Sequence, residues 1–303
     1  MNTTIPGSHL EAAVSLLEST GEYRVLRRLK RRKMLNPPDG TPIKIAILLD
    51  LETTGLDPAE DEILELGMVA FTYSRDGRPF EVIDSFEGFR QPRLPIPSQV
   101  TALTGITDAM VAGHDLDETS VRAFVQPAAL VIAHNAAFDR RFAERFCAEF
   151  AAKPWACSMS QIPWQEEGFD GTKLKYLLMS TGTFFEGHRA IDDCYAALDI
   201  LARRLPKSGT LALASLLEEA RKPTVRVCAE GAPFEFKDTL KARGYRWNDG
   251  IDGAPRAWWK EVSDGEVSIE VEFLKSKIFR GDVNIPTKRI TAYDRFSDRA
   301  GSL

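Results

Sequence analysis

Residues 45–58, IAILLDLETTGLDP, constrain this chain more than any other stretch. Ile45 to Leu49 is an unbroken apolar run of strand length, the pattern of a central strand covered on both faces. It leads directly into two acids, Asp50 and Glu52. Side chains two apart on a strand share a face, so these carboxylates converge. Unscreened, they repel each other and resist ionising, and a bound divalent cation removes that cost. Hard oxygen donors without a neighbouring cysteine or histidine cluster favour Mg²⁺ or Mn²⁺ over zinc. On its own, Asp-x-Glu is a common pattern of exposed strands.

The remaining pattern is that of a mixed layer fold. Glu65 to Tyr73 and Pro79 to Phe89 read as antiparallel neighbours of the first strand, and residues 98–126 read as helical. A short apolar strand, Leu130 to Ala133, leads into HNAAFDRRF and a helix running to about Phe150. Further helices are expected at Lys173–Met179 and Asp192–Leu205. Strands first, then helices around a buried strand, give an α/β architecture. Upstream, Ser8/Glu11 and Ser19/Glu22 have capping-box spacing, which predicts two helices over residues 8–33, before LNPPDGTP breaks the pattern. Downstream, a connecting helix ends near Ala220. From Thr224 a small α+β module follows, with VRVCAE and RAWWKEV as strands, a helix stopped by Gly244, and a final helix and strand. The division expected is a basic helical arm (1–40), a main domain (43–205), a linker helix (206–223) and a small module (224–303).

Two more acids fall where they can join the first pair. Asp139 opens the helix after the buried strand, and His188 precedes Asp193 by five residues in HRAIDDC. A strand-borne Asp-x-Glu plus two later aspartates supplies oxygens for two metal ions about 3.5–4 Å apart. His188 is then the group that titrates near neutrality and is placed to take a proton from water.

Three segments, LDLETTGLDP, IAHNAAFDRRF and HRAIDDCYAALDIL, resemble in order and spacing the motifs of the DEDDh exonuclease family, which includes bacterial proofreading subunits. QVTALTGITDAMV resembles that family's segment between the first two motifs, so the resemblance covers about residues 43–205. It implies an RNase H-like mixed sheet of about five strands and 3′→5′ hydrolysis of nucleic acid to nucleoside 5′-monophosphates. It also implies two Mg²⁺ ions, for which Mn²⁺ substitutes. Carried over position by position, Asp50, Glu52, Asp139 and Asp193 match the metal-binding acids and His188 the general base. Arg189 stands where the sister subtype has tyrosine, so the histidine version fits. The step from His188 selects Asp193 over Asp192, which reads as a helix N-terminal charge. The resemblance places the terminal nucleotide against the backbone at Thr53 and its base against Leu56. Thr104 stands where a substrate-contacting histidine is common, a departure from the pattern. His134 and Phe138 read as structural, and Asp57, Glu60, Asp61 and Glu62 as a solvated turn and helix start.

Composition bounds the rest. Apolar residues make up 44% and charged residues 27% of 303 residues, with a net charge of −5. No apolar run approaches a membrane span, the start lacks a signal-peptide pattern, and four scattered cysteines read as reduced thiols, so a cytoplasmic protein is expected. Seven of the ten residues from Arg24 to Lys33 are basic. This run is either a solvated face or a guide for nucleic acid or a protein partner. In the C-terminal module Arg243, Tyr245, Arg246 and Trp247, then Arg256, Trp258, Trp259 and Lys260, interleave cations with rings. Such a set either stacks on unpaired bases or builds a small core. The expected substrate is a single-stranded DNA 3′ end, with residues 1–33 or 224–303 as possible protein contacts. The alternatives are an RNA-trimming exoribonuclease and an inactive nucleic-acid-binding adaptor.

Overall fold

Helix α1 (Gly7–Ser19) opens the part of the chain that this computed structural model describes, residues 7–250 and 256–300. The second N-terminal helix does not form. The Ser19 and Thr20 hydroxyls donate back to the carbonyls of Leu16 and Leu17, and the basic stretch leaves α1 extended. Its two-residue strand β1 (Arg27–Arg28) pairs in parallel with Thr183–Phe184. Extension lets Arg27, Arg28, Arg31 and Arg32 reach Glu11, Glu186, Asp192 and Asp199 respectively. On a helix, like charges three and four apart would repel instead.

The main sheet begins with β2 (Ile43–Thr53), β3 (Ile63–Ser74) and β4 (Pro79–Phe89), paired antiparallel. Helices α2 (Ser98–Thr104), α3 (Asp108–Val111) and α4 (Glu118–Val125) lead to β5 (Leu130–Ala133), which runs parallel to β2. Helix α5 (Ala136–Phe146) crosses back to β6 (Trp155–Cys157), a strand too short to be read from sequence, parallel to β5. The strand order is β4-β3-β2-β5-β6, the mixed five-stranded sheet of an RNase H-like fold. Then come α6 (Leu174–Ser180), β7 (Thr183–Phe184), α7 (Ala190–Leu201) and α8 (Ala212–Arg221).

Period-two alternation along β2 sorts the core into two layers. Ala46 and Leu48 pack with the apolar faces of α7 and α8, while Ile47, Leu49 and Leu51 pack against α4 and α5. Asp50 and Glu52 continue the first set, on the side of α7. Leu213, Leu216 and Leu217 of α8 are buried in that same layer, so residues 206–223 are not a free linker but part of the main core.

The last portion forms a second sheet, antiparallel throughout, from β8 (Thr224–Glu230), β9 (Arg246–Asn248), β10 (Ala257–Val262) and β11 (Thr287–Ile290), in the order β11-β8-β10-β9. Helix α9 (Lys237–Ala242) precedes β9 and α10 (Val267–Phe273) follows β10. Val227, Leu240, Tyr245, Trp258, Leu274 and Ile278 form its core. The final strand ends at Ile290, and the residues after it return to the main domain. The Ala292 carbonyl accepts the Trp155 amide on the outer edge of β6. Among the described residues, no helix is long and apolar enough to cross a membrane.

Candidate active site

Asp50 and Glu52 sit at the C-terminal end of β2, beside its parallel neighbour β5, the end of an α/β sheet at which ligands characteristically bind. Opposite Asp50 in register lies Gly67 of β3. A Cβ there would meet the Ala190 carbonyl carbon and the Ile191 nitrogen at 2.5 Å, so glycine is what lets the start of α7 settle onto the sheet. That approach brings in Asp193 from the first turn of α7. One carboxylate oxygen each from Asp50, Glu52 and Asp193 lies within 4.8 Å of the others. Asp139, buried in the first turn of α5, lies outside that set of three but near enough for its charge to act on Asp50.

Electrostatics binds these acids into one cluster. Burial, then the charges of Asp139, Asp193 and Glu52, hold the Asp50 carboxyl well above its ordinary range. Burial and Asp193 push Glu52 up to about 8. Asp139 is likewise raised to about 8 by burial, against the pull of the backbone amides of Asp139 and Leu51. Burial raises Asp193 to about 6, opposed by the amides of His188 and Arg189. Carboxylates kept this close and partly out of water ionise at a cost that a neighbouring cation removes. Their all-oxygen donor set fits a hard divalent ion.

His188 sits at the mouth of the cluster. Its backbone N–H donates to Asp193 Oδ2 at 2.9 Å, and its φ of 71° is uncommon outside glycine. The residue is largely exposed, and partial loss of water around the ring, then the charge of Lys175, lowers its pKa. Both effects favour the neutral ring, which has a lone pair for a proton.

Two supporting residues were not legible in the sequence. Glu65, which faces Glu52 across the β2–β3 ladder, is fully buried. Arg189 donates to it from Nε at 3.0 Å and Nη2 at 2.9 Å, and to Glu87 at 3.0 Å. Glu65 also accepts the Ala190 amide at 3.3 Å, which fixes the start of α7 beside the acids. A lone glutamate inside the apolar run ILELGMVAF was the available signal.

The expected substrate contacts are placed differently from one another. The Thr53 hydroxyl donates to the Gly55 carbonyl at 2.5 Å and so shapes the turn after the acids. Leu56, at the tip of that turn, is 80% exposed. Asp61 accepts from Thr54 Oγ1 and the Asp57 amide, so the acidic stretch is a hydrogen-bonded turn and starts no helix. Thr104 is buried at the end of α2, where its hydroxyl donates to Val100 and accepts from the Ile106 amide. His134 is held between Ser158 Oγ and the Thr172 carbonyl, and burial lowers it to about 4. Phe138 packs on Phe142. Asp192 accepts both Nε and Nη2 of Arg31 from the N-terminal arm.

Residues 47–201 match the family model RNase_T, described as exonuclease. A PolC-type DNA polymerase III of Caldanaerobacter subterraneus subsp. tengcongensis is 31% identical over 179 residues, 57% of this chain and 12% of the polymerase. The corresponding polymerase of Thermotoga petrophila is 27% identical over 195 residues, 59% of this chain and 13% of its own length. The chain thus spans about an eighth of the curated relatives it matches. Among solved structures, Escherichia coli exonuclease I in complex with an oligonucleotide superposes with a TM-score of 0.48 at 16% identity, over 73% of this chain and 63% of that one.

Proposed function

We propose that this chain, which belongs to the DEDDh-type 3′→5′ exonuclease family, shortens DNA from its 3′ end one nucleotide at a time with the help of divalent metal ions. The observation that carries this reading is the convergence of Asp50, Glu52 and Asp193 oxygens within 4.8 Å, with Asp139 beside them and His188 tethered to Asp193. DNA is preferred as substrate because the curated relatives are DNA polymerases.

Asp50, Glu52, Asp139 and Asp193 would hold the ions, with Mg²⁺ the fitting choice for four carboxylates and no sulfur or imidazole donor. When bound, the ions supply positive charge against the phosphate and ease ionisation of water. The remaining work falls to the chain itself. His188 accepts the proton of the attacking water, a contribution worth about 10²–10⁴-fold. The water oxygen bonds to phosphorus, the bond from phosphorus to the 3′ oxygen breaks, and that oxygen takes a proton. The products are a nucleoside 5′-monophosphate and a strand one residue shorter with a 3′ hydroxyl. Glu65 and Arg189 keep the His188–Asp193 segment at the mouth, and Leu56 offers an apolar surface to the terminal base.

The test is incubation with 5′-labelled oligonucleotides in Mg²⁺ or in chelator, with deoxy and ribo versions of one sequence. A ladder of shortened products from the deoxy strand, abolished by chelation, is expected. Retardation without shortening would mean a binding adaptor, and preferential shortening of the ribo strand would reassign the substrate to RNA.

A further inference from the structure

A groove of about 870 Å³ separates the exonuclease core from the C-terminal sheet. Leu56, Ala137, Arg141 and Arg145 line its core side, and Arg246, Trp247, Trp259 and Lys260 line the other. Leu56 belongs to the turn just after Glu52, and Ala137 lies two residues before Asp139 on α5. One end of the groove therefore lies beside the turn that follows Glu52 and the first turn of α5, with the acids themselves outside its lining, and the opposite wall lies outside the residues that match the exonuclease family.

That wall carries rings held rigidly and cations held ready. Trp258 is 7% exposed and anchored in the small core, whereas its neighbour Trp247 is 52% exposed and rests on it, with ring centroids 5.5 Å apart. A large ring locked from behind and open in front is a platform for a base. Trp259 is spent differently. The Arg226 guanidinium covers it at 4.0 Å and Arg246 lies 5.6 Å from its centroid. Several groove charges are already matched, Arg141 by Asp298, Arg226 by Glu261 and Lys260 by Glu270. Arg145 and Arg246, one on each wall, have no carboxylate partner among the described residues, although Arg145 Nη1 donates to the Pro58 carbonyl and Arg246 lies near the Trp259 ring. Arg226, also at the groove, keeps a buried Nε without a hydrogen-bond partner.

We propose that this groove holds the single-stranded DNA upstream of the 3′ end being hydrolysed, with Trp247 stacking on an unpaired base and Arg145 and Arg246 facing phosphates. The proposal rests on the exonuclease reading for the direction of the strand. It assigns the C-terminal module a share of substrate binding, so that longer strands are held better than short ones.

The experiment compares dT4 and dT20 as substrates in Mg²⁺, and in parallel measures binding of labelled dT20 by anisotropy with metal chelated. Wild type, Trp247→Ala, Trp247→Phe, Arg246→Ala and Arg145→Ala are compared with Ile269→Ala, an exposed residue of α10 outside the groove. Trp247→Ala is expected to weaken dT20 binding by about 5- to 100-fold, the range of one lost base stack. It also removes the KM advantage of dT20 over dT4. Trp247→Phe restores most of both, and Ile269→Ala keeps both. Each arginine variant lowers the salt dependence of dT20 binding by about 0.7 in log–log slope, as expected for one phosphate contact on a single strand. Wild-type affinity for dT20 in Trp247→Ala and Arg246→Ala overturns the groove assignment and leaves it to another class of occupant. Failure of the wild type to shorten either strand overturns hydrolysis instead, and the anisotropy still decides the groove.

Discussion

At the scale of single residues, the site is a store of unfavourable charge. Asp50, half-buried, lies among the charges of Asp139, Asp193 and Glu52. Asp50→Asn should therefore lower turnover by more than about 10³-fold, because metal stabilisation of the transition state is worth several kcal/mol. The same change should raise the Tm of the metal-free protein, since an amide has no charge that folding must neutralise or desolvate. A thermal melt in chelator checks this, and a lower Tm would contradict the electrostatic account. The pH dependence has a definite sign. Glu52 and Asp139 at about 8 and Asp193 at about 6 keep protons that the unfolded chain has already released. Between about pH 4.5 and 8 the folded state thus binds more protons, and metal-free stability falls as pH rises. A loss of roughly 5 °C or more in Tm across that window is expected, at about 2–4 °C per kcal/mol for domains of this class. Mg²⁺ binds the ionised form, so its Tm increment should be larger at pH 8 than at pH 5. An increment that shrinks with pH would rule out these carboxylates as the ligands.

At the scale of elements, legibility follows locality. Strand β2 and the acids at its end could be read because an apolar run and its termination are local facts, as is the five-residue step from His188 to Asp193. The Glu65–Arg189 pair could not, because it joins β3 to α7 across 124 positions. The basic stretch misled for the same reason. Its helical spacing is local, but its partners are the carbonyls of Gly182 and Phe184, which accept the Arg27 and Leu29 amides. Thr104 was placed by alignment to a motif, and what the sequence did not show is that its hydroxyl donates to Val100 and accepts the Ile106 amide just beyond α2. The contact between β3 and α7 gives a prediction at this scale. Gly67→Ala puts a methyl 2.5 Å from the Ala190 carbonyl carbon, and backbone cannot yield as a flexible side chain would. The start of α7 must lift, carrying Asp193 and His188 with it. A displacement near 1 Å costs about 10²-fold in rate. The variant should lose about that much turnover and need more Mg²⁺ for half-maximal activity, while far-UV circular dichroism stays native. Wild-type Mg²⁺ dependence would show that α7 does not set the metal geometry.

At the scale of the whole molecule, the C-terminal module is fastened to the helix that carries the third acid. Arg140, adjacent to Asp139, is fully buried and donates to the carbonyls of Ala292, Tyr293 and Arg295. Its Nε pairs with Glu144 at 2.7 Å, and Glu144 in turn accepts Ser297 and Arg299. Arg295 answers from the other side by donating to the Lys222 carbonyl after α8. The tail thus bridges α5, β6 and α8, and it covers an edge that would otherwise present unpaired amides. A cut after Leu205 removes α8 from the main core as well as the module, so loss of activity in such a fragment would say nothing about the module's role. The informative variant is local. Arg140→Met strands three carbonyls and a partly buried carboxylate, each costing about 1–3 kcal/mol when left unsatisfied, so a destabilisation of at least about 3 kcal/mol is expected. Deleting residues 291–303 removes the same acceptors. In a double-mutant cycle read by denaturant unfolding, the two changes should fall well short of additive, with a coupling of about 1–3 kcal/mol. Strict additivity would mean that Arg140 stabilises α5 without the tail, and the mechanical link between the module and Asp139 would be lost with it.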